Sequence, residues 1–355
     1  MNGGTQKKAI IIGASEEALH TIKKAHENGL FVTALDGNPA ASGLAAADKA
    51  LVVDISDERA TIEAVRKEDP DFVLTVPIGR YLTTIGMVND TLQLPGISRE
   101  MAEKCTDKWL FHEILVQKGL RNCHCYPAGK IKEKRDTGSV AFREEIPEDK
   151  LTFPAILKPR FGSGSRGIHM LFSKEDLERG LSEIGEEDYI LEECIAGEEY
   201  GIDGAVIGGK FHLILLRKKK NTPFPARQAV AYFSILLEDP FYGQAREYME
   251  AVIEAMGLDE CLLHADLIQG ENGPFVIELS ARPSGHNLHN LFTPLCTGID
   301  EAEEYIRYRM GRSYSFAPKE TKAMMIHYFD MEGKVDRIPD LSLIHISEPT
   351  RLRCI

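Results

Sequence analysis

Two acidic residues set inside apolar runs constrain this chain more than any other feature. From His264 to Asn287 it reads HADLIQGENGPFVIELSARPSGHN, with Asp266 and Glu278 each embedded in a short apolar run and Glu271-Asn272-Gly273 as the turn between them. A carboxylate buried in an apolar strand is costly unless a cation or a hydrogen-bond network offsets its lost hydration. Strand side chains alternate faces, so loop length decides which residues meet. A two-residue turn at Asn272-Gly273 would set Asp266 opposite Leu279. A three-residue loop, Glu271 to Gly273 with Gly273 left-handed, sets Asp266 opposite Glu278 and His264 opposite Ser280. Only the second register builds a site. Two acids on one sheet face, with Arg282 just beyond, suit a divalent metal carrying an anionic group such as a nucleotide polyphosphate. The competing reading is an edge hairpin with solvated acids.

The 355 residues suffice for two or three domains and a substantial core. Against 55 acidic residues stand 42 basic ones, a net charge of −13, and no long basic or basic-aromatic array offsets it, so nucleic acid is not an expected partner. Apolar runs such as 9–12 and 213–216 fall far short of the ~18 residues of a membrane helix, and the N-terminus lacks a signal-peptide core. The expectation is a soluble, cytoplasmic protein with no membrane partner. Seven scattered cysteines form no C-x-x-C pair, and Cys123-His124-Cys125 has no second ligand cluster downstream, so reduced structural thiols are expected rather than a metal knuckle.

KKAIIIGAS at 7–15 reads as a buried strand entering a small-residue turn, then a helix with Ala18, Ile22 and Ala25 on one face and Gly29 as its stop. Residues 30–35, 49–54 and 72–76 add strands separated by helical stretches, a Rossmann-like lobe. Gly13-Ala14-Ser15 followed by Asp36 is half of a dinucleotide fingerprint; without its three glycines the lobe is read as structural.

After Leu94-Pro95-Gly96 closes this lobe, Thr106 is placed to cap a helix over 107–118. Lys108 in its first turn sits at the unfavourable end of the helix dipole unless an anion is near; otherwise it is a solvated surface lysine. Residues 130–150 are polar and densely charged, a linker or loop. FPAILKPR at 153–160 is a strand with Lys158 embedded, followed by FGSGSRG at 161–167, whose amides and hydroxyls can wrap phosphate. No Gly-Lys-Ser/Thr opens a helix there, so it is not a Walker loop, and a plain flexible loop is the alternative; the preceding lysine shifts the balance towards phosphate.

Ser173 has capping-box spacing for a helix reaching about Ile184. Residues 189–195 form a strand, Gly197-Glu198-Glu199 a turn, and 201–207 with 210–216 a hairpin around Gly208-Gly209, so antiparallel pairing begins here. The basic run 217–220 reads as a solvated strand end or as a substrate contact. Helices are expected over 241–256 and 300–310, and a late strand over 322–329.

In this order the features resemble the ATP-grasp superfamily, over about residues 8–340. The resemblance implies an α/β fold, α+β in the ATP-grasp lobes. Its parts would be a Rossmann-like pre-ATP-grasp domain (1–96), linker helices and a small ATP-binding lobe with a Gly-rich flap (97–190), and a large, incomplete lobe with a mixed, antiparallel sheet and a metal-binding hairpin (191–340). It implies that Lys108 and Lys158 hold ATP phosphates and that the flap, Gly162, Ser163, Gly164, Ser165, Arg166 and Gly167, closes over them. Glu192 would accept from the adenine amino group, the backbone around Cys194 and Ile195 would read the ring edge, and Glu199 would bind ribose. Asp266 and Glu278 would bind Mg2+ (or Mn2+) bridging the phosphates, and Arg282 would steady the acyl phosphate. Where the family usually has Asn this chain has Ser280, also a potential metal contact, which leaves one or two metal ions open.

The implied reaction activates a small-molecule carboxylate as an acyl phosphate that an amine captures, releasing ADP and phosphate: an ADP-forming carbon–nitrogen ligase with Lys158 and Arg282 as catalytic residues. Metal and lysines would screen the approaching anions while the flap excludes water. Two other readings stand beside it. One is a biotin-carboxylase-like enzyme phosphorylating bicarbonate, against which the Pro283-Ser284-Gly285-His286-Asn287 continuation speaks; the other is an ATP-binding module without turnover, for which Ser280 speaks. His286, His289 and Asn290 are candidates for substrate contact or for packing. The identities of carboxylate and amine, and whether a homo-oligomer forms, are not legible in the loops of one sequence. Residues 341–351, LSLIHISEPTR, resemble a translated sequencing-library adapter, so 341–355 is expected to be a non-native tail, with closing strands of the large lobe missing after about Asp340.

Overall fold

Consecutive apolar residues buried on both faces make the central strand of a parallel sheet, and β1 (Lys8–Ile12) is that strand: Ala9 to Ile12 are at most 1% exposed. In the computed structural model, which describes residues 6–128, 151–162, 166–184, 188–222, 228–328 and 353–354, the first sheet has the order β3-β2-β1-β4. Its other strands are β2 (Phe31–Asp36), β3 (Lys49–Val52) and β4 (Phe72–Leu74), all parallel, joined through α1 (Leu19–Glu27), α2 (Ser42–Ala46) and α3 (Glu58–Glu68) and followed by α4 (Leu82–Leu92). The Asp36 carboxylate accepts from the amides of Ala14 (2.7 Å) and Asn38 (2.8 Å), so it braces the first loop of the lobe. The predicted linker at 130–150, flap residues Ser163, Gly164 and Ser165, and residues 341–352 and 355 of the tail lie outside the described residues.

Two helices lead out of this lobe, α5 (Arg99–Thr106) and α6 (Lys108–Gln117). The cap of α6 is Asp107 rather than Thr106. The Asp107 carboxylate accepts from Trp109 (3.0 Å) and Leu110 (3.2 Å) amides and complements the helix dipole, while the Thr106 hydroxyl donates back to the Ala102 carbonyl at 2.9 Å. The small lobe is an antiparallel sheet of order β5-β8-β6-β7, made of β5 (Cys125–Ala128), β6 (Ala155–Pro159), β7 (His169–Leu171) and β8 (Tyr189–Glu193), with α7 (Lys174–Glu183) capped by Ser173 as its spacing predicts.

The large lobe is a seven-stranded sheet of order β13-β12-β9-β10-β11-β14-β15. Its strands are β9 (Glu198–Ile207), β10 (Lys210–Asn221), β11 (Ala229–Ser234), β12 (Cys261–Gly270), β13 (Gly273–Ser280), β14 (Met324–His327) and β15 (Arg353–Cys354), antiparallel except for the last pair. Strand β9 already begins at Glu198, so the crossover between lobes is 194–197 and not a turn at 197–199. Helix α8 (Pro240–Met256) buries Ala245, Met249, Val252 and Met256 beneath the sheet; α9 (Thr293–Thr297) and α10 (Glu301–Arg309) cover its other side.

The β12–β13 hairpin has the site-building register, with Asp266 opposite Glu278 and His264 opposite Ser280, but the expected three-residue loop does not produce it. The hairpin closes on Glu271-Asn272, with Gly270 paired to Gly273 and Leu267 to Val276. Continued regularly, that pairing would set Asp266 against Ile277. A register shift between Leu267 and Asp266 leaves Ile277 as the extra residue of a bulge and brings Glu278 into line.

Candidate active site

The two predicted lysines come from neighbouring elements. Lys158 is 5% exposed on β6 and ion-pairs with Glu192 of β8, which sits diagonally across the ladder because Ile156 is its direct partner. Lys108, in the first turn of α6, donates from Nζ to the Gly162 carbonyl at 2.9 Å and so ties that helix to the segment that follows β6. Arg160 clamps the same junction by donating to both Asp107 oxygens at 2.7 and 2.6 Å. Burial pushes Lys108 below the ordinary lysine value, and nearby Lys158 adds to this against the pull of Glu278. A cation held so has an unmet demand for anionic company.

A cavity lined by Lys108, Gly162, His264, Glu278, Ser280 and Arg282 separates the lobes, and the N-terminal lobe adds Ile78, Gly79 and Arg80 to its wall. Five of the predicted residues therefore share one space. Asp266 stands beside it in register with Glu278; its Oδ2 pairs with Lys219 at 2.5 Å, and its Oδ1 is buried with no hydrogen-bond partner among the described residues. Burial would raise Asp266, but Lys219, His264 and Arg217 hold it below the usual carboxylate range. That oxygen, with only His264 Nε2 near it at 3.7 Å, faces a second carboxylate, and with the Ser280 hydroxyl next on the same strand face this is a donor set that fits a hard divalent cation.

Residues 151–289, which carry the flap strand, β8 and the acid hairpin, match the family model for the ATP-grasp domain. Over these residues the chain is similar to the ATP-grasp domain. Its relatives include an uncharacterised protein, y4rH, of Sinorhizobium fredii, 22% identical over 73% of this chain and 53% of that protein, and dapdiamide A synthase of Enterobacter agglomerans, 23% identical over 56% and 47%. The chain spans about half the length of these curated relatives. The L-amino acid ligase from Bacillus licheniformis has a similar fold, with TM-score 0.73 at 20% identity over 87% of this chain and 75% of that one.

Within the matched segment Glu192 lies near the end of β8, and Cys194 and Ile195 open the lobe crossover. Glu192 is 6% exposed and accepts from Arg121 at 3.0 Å as well as from Lys158. The Cys194 amide donates to the Pro154 carbonyl at 3.1 Å. Glu199 accepts from the Asn221 amide at 2.7 Å on β9. Gly167 lines a second opening with Arg80, Phe161 and Tyr189.

Arg282 is half-buried; it donates to the Pro283 carbonyl at 2.7 Å, and burial lowers its pKa against the pull of Glu278 and Asp266. His289 is fully buried edge-on to His20 at 6.0 Å, so it packs rather than lining the cavity. His286 offers its amide to Glu17 of the N-terminal lobe at 2.8 Å, and Asn290 bonds back to Asn287 at 3.4 Å.

The basic run is a solvated strand end only at Lys218 and Lys220. Arg217 is fully buried against Asp203, and Lys219 pairs with Asp266, whereas Lys218 turns outward to Glu198. Period-two alternation on a strand was the available signal; a bulge between Leu213 and Leu215 then sets Arg217 opposite Gly201, where a Cβ would lie 3.0 Å from the Arg217 Nε. Among the described residues His112, Cys125 and Glu192 also cluster, but Glu192 is committed to two cations there.

Proposed function

We propose that this protein is an ATP-dependent, ADP-forming ligase that couples a small-molecule carboxylate to an amine. The observation that carries the reading is the cavity where Lys108, Gly162, Glu278, Ser280 and Arg282 converge next to an Asp266 oxygen that has no hydrogen-bond partner among the described residues. In this reading Lys108 and Lys158 hold the ATP phosphates, with Gly162, Ser163, Gly164, Ser165 and Gly167 closing over them. Glu192, Ile195 and Cys194 border the base, and Glu199 the ribose. Asp266, Glu278 and Ser280 would hold Mg2+, which when bound neutralises the phosphate oxygens.

A carboxylate oxygen of the substrate attacks the γ-phosphorus; an O–P bond forms, the β–γ bridge breaks, and ADP leaves. The amine then attacks the acyl carbon, a C–N bond replaces the C–O bond to phosphate, and the amine proton is lost to solvent. Lys108 and Arg282 offset the repulsion between the two anions, and the planar Arg282 fork can grip a carboxylate or phosphate in two places. The names of dapdiamide A synthase and the L-amino acid ligase agree with this class of substrate.

The test is a phosphate- and ADP-release screen over amino acids and other small carboxylates with amine acceptors, including bicarbonate. Turnover is expected with a carboxylate–amine pair, and Glu278→Gln and Lys158→Ala are each expected to reduce it below about 1% with the fold retained. Bicarbonate alone driving ADP release would favour the carboxylase reading. Tight ATP binding with no ADP from any pair would favour a module without turnover.

A further inference from the structure

Arg121, between α6 and β5, is 5% exposed and is not part of the phosphate cavity. Its guanidinium lies between two aromatic rings, 5.2 Å from the Phe111 centroid and 4.7 Å from that of Phe275. One nitrogen donates to Glu192 at 3.0 Å; another donates to the carbonyls of Val276 at 2.5 Å and Ile277 at 3.3 Å. These anchors belong to different lobes, since Glu192 is on β8 of the small sheet and Val276 and Ile277 lie on β13, the edge strand of the large one.

The second anchor is the bulge itself. Ile277 is the extra residue that brings Glu278 opposite Asp266, and a bulge on an edge strand leaves carbonyls without a ladder partner. Arg121 supplies the missing donor. At the other end, burial alone would raise Glu192, yet Lys158 and Arg121 together hold it ionised, so that it can only accept hydrogen bonds.

We propose that Arg121 is a positioning residue for the nucleotide: by holding Glu192 as a fixed acceptor at the base and capping the Ile277 bulge, it sets the choice of base and the placement of Glu278 from one side chain. This rests on the reading of Glu192 as the base-facing acid. An acceptor-only carboxylate welcomes a 6-amino purine and repels a 6-oxo purine, whose carbonyl meets it lone pair to lone pair.

The experiment measures ATP and inosine triphosphate binding, with magnesium, by fluorescence of Trp109, the single tryptophan, which stands next to Lys108. Wild type is expected to prefer ATP by at least about tenfold. Arg121→Met keeps the packing between the rings and removes every donor; its preference is expected to shrink to within roughly threefold, with ATP binding about tenfold weaker. Arg121→Lys keeps a cation for Glu192 but cannot span to both carbonyls, so base preference should persist while affinity falls for both nucleotides. Circular dichroism and thermal unfolding check that each variant is folded. Equal losses for both nucleotides in Arg121→Met would mark a purely structural arginine and overturn the proposal. A wild type that binds both equally, or neither, would instead overturn the reading of Glu192 itself.

Discussion

His112 sits 6% exposed under the Glu192 cluster, its ring stacked on Trp109 at 5.8 Å. Burial, and then the neighbouring Arg121 charge, push its pKa down to about 4. The unfolded chain would protonate it near 6.5, so between these values the unfolded state binds the extra proton. The stability this neutral histidine gives is complete above about pH 6.5 and is lost as pH falls towards 4, at no more than about 1.4 kcal/mol per unit. Urea midpoints at pH 7.5 and 5.5 should therefore fall further for wild type than for His112→Gln; equal falls would show that His112 is not held neutral. At this scale the sequence was most legible where a residue type is rare in its setting, as with Lys158, Asp266 and Glu278 in apolar strands. It was least legible where one pattern hid another. The run 217–220 looked uniformly basic, yet strand alternation sends Arg217 and Lys219 inward and Lys218 outward.

The acid hairpin shows what can and cannot be read of an element. Of the two registers open to it, the one that sets Asp266 opposite Glu278 is present, but the turn that closes the hairpin is one residue tighter than that register needs, and a bulge makes up the difference. The bulge that restores the register is held by Arg121, about 155 residues earlier, and no local rule reaches that far. The lobe crossover is equally non-local. Gly197 approaches β12 so closely that a Cβ would lie 2.3 Å from the Gln269 carbonyl oxygen and 2.5 Å from Ile268 Cγ2. Backbone cannot yield as a side-chain tip can. Gly197→Ala should cost roughly 1–3 kcal/mol in urea unfolding and, by displacing the hinge, weaken ATP binding read by Trp109 fluorescence. Unchanged values of both would mean that the crossover is slack.

For the whole molecule, the order of elements was legible because each lobe is built from contiguous segments with clear periodicity, whereas the way the N-terminal lobe joins the site was not. That join is made by residues far apart in sequence: Ile22, Phe72 and Val76 share one apolar core with Ala205, Tyr305 and Ile306, and polar contacts add to it. Helix α1 meets α10 through His20 with Asp300 at 2.9 Å and Lys24 with Glu303 at 3.2 Å, and Ile78, Gly79 and Arg80 close one wall of the cavity. Glu17 reaches furthest, its carboxylate accepting from the His286 amide at 2.8 Å. His286 and Asn287 both have positive φ, +57° and +59°, a conformation that costs of order 1 kcal/mol or more per residue and persists only where neighbours hold it. This loop directly follows Arg282, so the N-terminal lobe helps to shape the wall next to that guanidinium. Glu17→Ala should release the loop, raise KM for the carboxylate substrate roughly tenfold, and leave ATP affinity unchanged, because none of the proposed nucleotide contacts touches Glu17. An unchanged KM would make Glu17 a bystander, and a parallel loss of ATP affinity would show that the lobe supports the whole domain rather than the substrate wall.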